Sequence, residues 1–157
     1  MSAQWIDARM FDALSTQARD SVRRRRNFNF HPADHYPSNR LLNAIEPDSY
    51  VPPHRHLDPT KDETLFVLRG SIGVLLFDNA GTVVDQRVIM AGGDTVGIDI
   101  PHRVIHALVA LEPGTIAFEA KAGPFADRTP AELLSFAPAE ASPGAVGYLT
   151  WMRSRFD

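Results

Sequence analysis

Between residues 40 and 122, short apolar runs recur, each cut off by turn-forming residues: RLLNAIEP, SYVPPH, TLFVLRG, IGVLLFDNAG, VVDQRVIMAGG, TVGIDIP, VIHALVALEPG and TIAFEAKAG. Runs of this length between Gly, Pro and Asn read as strands. DNAG at 78–81 and EPG at 112–114 supply hairpin turns, and Gly92-Gly93 supplies another. No helical stretch lies between the runs, so the crossovers of a parallel α/β sheet are missing. The pattern predicts an all-β domain, an antiparallel barrel or jelly roll.

The flanks follow a different period. Ile6, Met10, Leu14 and Ala18 fall four apart, with Phe11 beside them, and predict an amphipathic helix from residue 5 to about 20. Asn27 to His31 alternate polar and aromatic residues like a short strand, which Pro32 and Pro37 break. Thr129, Pro130 and Glu132 have the order of a helix start, followed by one apolar turn in ELLSF. APAEASPGAVG then reads as a connector, and YLTWMRSRFD as a last short helix or tail docked on the barrel or on a partner chain. The expected organisation is an N-terminal extension over residues 1–38, a barrel over 39–126 and a helical segment and tail over 127–157.

Composition narrows the function classes. The chain has 157 residues, 44% hydrophobic, with a formal charge of -3, which suits one folded domain and disfavours a general nucleic-acid binder. The four arginines at 23–26 read first as solvated surface at a helix end and second as a phosphate patch. There is no cysteine, which excludes disulfides, thiolate metal sites and a cysteine nucleophile. Neither a signal peptide nor a membrane span is legible, so a cytoplasmic protein is expected. GxSxG, the Walker loop and the Rossmann glycine pattern are all missing.

Candidate chemistry gathers in PPHRHLDPTKDETLFVLRG, residues 52–70. His54 and His56 stand two apart, which on a strand turns both imidazoles to one side. Glu63 returns on the neighbouring strand after a turn, and His106 lies in the apolar run VIHALV. Three imidazoles and one carboxylate suit a borderline divalent transition metal: Zn, Fe, Ni, Mn or Co.

These spacings resemble the two motifs of the cupin superfamily. His54 and His56 flank Arg55, Glu63 follows after six residues and Gly70 after six more; Gly93, Pro101 and His106 fit the second motif. The turn before Glu63 is longer than usual, and Arg103 stands where cupins carry a glycine. NFNFHP at 27–32, RLLNAIEPDSYVPPHRHLDPTKDET at 40–64, GVLLFD at 73–78 and HALVALEPGTIAFEAKAGPF at 106–125 resemble WbuC-type cupin-fold metalloproteins more closely. The resemblance implies a single cupin barrel of jelly-roll type, with an N-terminal helix and a short helical C-terminal segment. It implies His54, His56, Glu63 and His106 as ligands of one metal ion. It also implies a family without a settled reaction, in some bacteria encoded beside genes for lipopolysaccharide O-antigen assembly.

Other polar residues could surround such an ion. Glu119 and Lys121 alternate with Phe118 in AFEAKAG; one registration puts them inside the barrel near the metal, the other makes them an exterior ion pair. His102 and Arg103 fall in the turn before the His106 strand, Lys61 stands near Glu63, and Arg40 is placed to cover another side. This set predicts a small polar or anionic ligand, in a metal-dependent isomerase, epimerase, lyase or oxygenase of a sugar-related metabolite. The alternative is a binding or regulatory cupin without turnover, and a third reading is an interaction protein using the 23–26 segment. A homodimer is the expected assembly, without nucleic acid or membrane.

Overall fold

A computed structural model describes residues 3–157. Asp7 caps the first helix, α1 (Ala8–Asp20), by accepting the Met10 N–H at 3.0 Å. Eight strands follow: β1 (Arg25–Asn29), β2 (Ser38–Ile45), β3 (Glu63–Arg69), β4 (Ser71–Phe77), β5 (Val83–Met90), β6 (Gly97–Ile100), β7 (Ile105–Ala110) and β8 (Thr115–Ala122). The second helix, α2 (Ala145–Arg153), runs into a single 3-10 turn at Ser154–Phe156. Among the described residues no helix is long and apolar enough to cross a membrane.

Every strand pairing is antiparallel. One sheet has the order β1-β2-β8-β3-β6 and the other β5-β4-β7. The inner faces meet over Leu65, Val67, Ile72, Val74, Ile89, Leu108 and Ala117. On the outside of the larger sheet, Leu14 and Ala18 of α1 pack on Leu42, Ala44 and Ile116. On the outside of the smaller one, Ala145, Leu149 and Met152 pack on Leu75, Phe77, Ala107 and Val109. Strand β7 is therefore buried along its whole length, which is why VIHALV is apolar throughout instead of alternating.

The expected barrel is corrected to an open sandwich. β5 and β6 each end a sheet and do not pair with one another, so neither sheet closes. SYVPPH is not a strand: Pro52 and Pro53 have no N–H to give a ladder, and only His54 makes an isolated bridge. The helix expected from Thr129 does not form. Its first residues make the reciprocal contact, Glu132 accepting from the Thr129 N–H at 2.8 Å, but after this single turn Leu133 bridges to His54 and no helix follows. The strand read at Asn27 to His31 sits at Arg25–Asn29 instead. The tail prediction is met by α2, which starts at Ala145, inside the expected connector.

Gly70 makes the hinge between β3 and β4 at φ +75°, and a Cβ there would run into the Thr115 hydroxyl. Gly70→Ala is expected to cost about 1–3 kcal/mol through left-handed strain and overpacking. The measurement is a urea unfolding midpoint at unchanged m-value. A variant as stable as the parent would refute the close approach.

Candidate metal centre

The inner faces are apolar at one end of the sandwich and polar at the other. Continuing the same alternation past Leu65, Leu108 and Ala117, they present Glu63 on β3, His106 on β7, and Glu119 and Lys121 on β8. Glu63 lies directly opposite Lys121, and Leu65 opposite Glu119. His54 joins them from the extended segment that bridges to His106, with the His54 N–H donating to the His106 carbonyl at 3.0 Å and the reverse bond at 2.9 Å.

A nitrogen from each of His54, His56 and His106 falls within 4.8 Å of the other two. His54 and His106 are 2% and 1% exposed. Each donates its Nδ1–H to a backbone carbonyl two residues earlier, Pro52 at 2.9 Å and Val104 at 3.0 Å. That bond fixes the tautomer and leaves the Nε2 lone pair for a metal. His106 Nε2 is buried with no hydrogen-bond partner. A buried acceptor left empty is costly, and a metal ion is the partner that three converging imidazoles fit. Burial lowers the pKa of both His54 and His106, which favours the neutral form of these two, the form that binds metal.

Glu63 stands against this cluster. Its Oε2 accepts from His56 Nε2 at 3.0 Å and from Lys121 Nζ at 3.3 Å. Burial pushes the Glu63 carboxyl up, but the His56 hydrogen bond and the Lys121 ammonium outweigh it and hold the group well below the usual carboxylate range. Lys121 also donates to Glu119 Oε1 at 2.9 Å, and Glu119 Oε2 accepts from Asn43 Nδ2 at 2.7 Å. Burial alone would lower the Lys121 pKa; the two carboxylates reverse this and raise it. Of the two registrations open for Glu119 and Lys121, the chain adopts the interior one.

The remaining expected residues divide. His102 sits at the rim, its backbone N–H and Nδ1–H both donating to Asp62 Oδ1, at 2.7 and 2.8 Å. Arg103 is exposed and takes φ +68°, the left-handed conformation a glycine would supply, while its N–H donates to the His56 carbonyl at 2.7 Å. The turn thus keeps a glycine's geometry at the cost of some strain. Lys61 spends its ammonium on the carbonyls of Ala122 and Pro124. Arg40 is a correction: it pairs with Ala120, out of phase with Glu119 and Lys121, and faces outward beside Gln4, Ile6, Phe30 and Phe118. One residue was missed, Asn43, which holds Glu119. Asn43 lies in an apolar run, where only the strand register shows which way it faces.

The two sheets form a cupin-like sandwich, and the histidine cluster has the donors to hold a divalent metal ion. The chain belongs to the family described as "Domain of unknown function (DUF6016)", whose profile matches residues 6–89. No curated protein matches it. Among solved structures, KdgF from Halomonas sp. is similar at a TM-score of 0.51 and 21% identity, over 66% of this chain and 81% of that one. A conserved protein of unknown function from Streptococcus pyogenes, SPY1581, is similar at 0.53 and 12%, over 80% and 92%. A Bacillus subtilis oxalate decarboxylase described for its Mn(II) centres is similar at 0.52 and 17%, over 71% of this chain but 28% of its own. At these identities the likeness establishes the fold alone.

Proposed function

We propose that this chain is a small WbuC-type cupin that works as a metal-dependent enzyme on a polar or anionic, sugar-related metabolite, of the isomerase, epimerase or oxygenase kind. The observation that carries the reading is the unpartnered His106 Nε2, buried where His54 and His56 converge. In this reading His54, His56 and His106 hold one divalent transition metal, with Glu63 as the fourth ligand. When bound, such an ion polarises a carbonyl or hydroxyl or lowers the pKa of bound water. Lys121 keeps Glu63 ionised and aimed, and Asn43 and Lys121 together fix Glu119. His102 and Arg103 rim the opening on the His56 side, where a polar ligand would pass. The long matched segments noted above support the WbuC-type identity, a cytoplasmic setting and a place in lipopolysaccharide O-antigen assembly. A homodimer belongs to the same proposal.

A second reading, a binding or regulatory cupin without turnover, is favoured by the near-complete burial of His54 and His106, which leaves an ion there little open surface. Elemental analysis of protein purified without added metal separates the two. Near-stoichiometric Fe, Mn, Co or Ni, followed by oxygen uptake or turnover of a sugar nucleotide, is the expected result. Zinc that survives chelator would favour the second reading, and protein that takes up no metal would end both.

A further inference from the structure

A second buried acceptor goes unpartnered on the inner face of the larger sheet. Asn39 is 2% exposed, and its Oδ1 is buried without a hydrogen-bond partner. On β2 it lies four residues before Asn43, so it shares the face from which Asn43 reaches Glu119. The register puts Asn39 directly opposite Lys121, and Lys121 directly opposite Glu63. The three side chains form one row across β2, β8 and β3, with the ammonium in the middle. The adjoining turn supplies no donor to Asn39. A Cβ on Gly123 would stand 3.2 Å from Oδ1, and the Gly123 N–H is given to the Pro37 carbonyl at 2.9 Å.

Lys121 has three N–H groups and two carboxylate partners, Glu119 Oε1 at 2.9 Å and Glu63 Oε2 at 3.3 Å. The bond to Glu63 is the longer one. A dication held by the histidines and Glu63 would compete with the ammonium for that carboxylate and repel it across the same short distance. Retreat along the row leads the ammonium away from β3 and towards β2. There an empty oxygen faces it, while Asn43 keeps Glu119 in place as its other partner.

We propose that Asn39 is a positioning residue of the metal centre: when an ion takes Glu63, Asn39 Oδ1 accepts the Lys121 N–H that Glu63 gives up. The proposal rests on the metal-binding reading above. It accounts for both orphaned acceptors of the inner face in one step, His106 Nε2 filled by the ion and Asn39 Oδ1 by the displaced ammonium. Asn39 thus favours the loaded state without touching the metal.

The test titrates zinc into the full chain against a chromophoric chelator, for the parent, Asn39→Ala and Asn39→Asp, with urea unfolding of each protein metal-free. Asn39→Ala should bind zinc about tenfold more weakly, as when other residues that support a ligand are changed. Metal-free, it should unfold close to the parent, because the Oδ1 it removes holds no hydrogen bond. Asn39→Asp keeps an oxygen for the ammonium and should recover the affinity. In a chain already carrying Lys121→Met and Glu119→Gln, Asn39→Ala should shift zinc affinity by less than about twofold, since the group it acts through is gone. Unchanged zinc affinity in Asn39→Ala, the same loss in the background without Lys121, or a metal-free Asn39→Ala that is itself strongly destabilised would each overturn the assignment and leave the metal site standing. A parent that takes up no zinc would overturn the metal reading, and the proposal with it.

Discussion

Replacing His106 by alanine is expected to weaken metal binding by more than about a hundredfold, because losses of ten- to a hundredfold already follow from changing residues that merely support a ligand. Elemental analysis after dialysis reads this directly. Unfolding gives an independent check: metal present at about a thousand times its dissociation constant should stabilise the parent by about 4 kcal/mol and leave the variant unmoved. Without metal the variant should unfold close to the parent, since the alanine removes packing but also removes the unpartnered Nε2. Acid should act in the same direction. His54 and His106 have folded pKa values below the ordinary imidazole value of about 6.5. The unfolded chain therefore takes up protons that the folded chain refuses once the pH falls below that value. Metal-free stability should fall there by up to about 1.4 kcal/mol per pH unit for each of the two, and the alanine variant should lose roughly half the slope. Equal metal content in parent and variant would refute the site.

The second large effect is expected at Lys121. Its ammonium is the only cation within 4.0 Å of either Glu63 or Glu119 among the described residues, apart from His56 when protonated. Lys121→Met leaves two buried carboxylates facing each other across a gap the lysine filled. The expected cost is about 3–5 kcal/mol, equivalent to roughly 6–20 °C in unfolding temperature for a chain of this size. The decisive comparison is Lys121→Met combined with Glu119→Gln. Removing one carboxylate should restore well over half of the loss, because the penalty comes from charge without a partner and not from the missing methylenes. If the double variant is as unstable as the single one, the network is packing, and the electrostatic account is wrong.

The strands of both sheets were legible as apolar runs, and their turns as DNAG, EPG and paired glycines, because local backbone preference and burial agree there. The three histidines were legible for a different reason: spacing and residue type announce metal chemistry even where the local structure is misread. His54 lies on no regular strand, yet its bridge to His106 achieves what a strand would have done. The outward turn of Arg40 was not legible. β2 is apolar on both faces, since α1 covers the outside, so alternation could not say which face was inner. The helix expected at Thr129 failed because Glu132 and Leu133 find stronger partners in Arg55, Leu57 and His54 than a helical turn would offer. All three partners are more than seventy residues away in the chain, beyond the reach of any local signal.

The position of β8 has a kinetic consequence. It slots between β2 and β3, so Ser38 meets Ala122 and Glu63 meets Lys121 only after most of the chain has been threaded into place. Closures over such separations are slow and come late. Until β8 inserts, Glu63 has no ammonium beside it, so the ionic half of the site is assembled last.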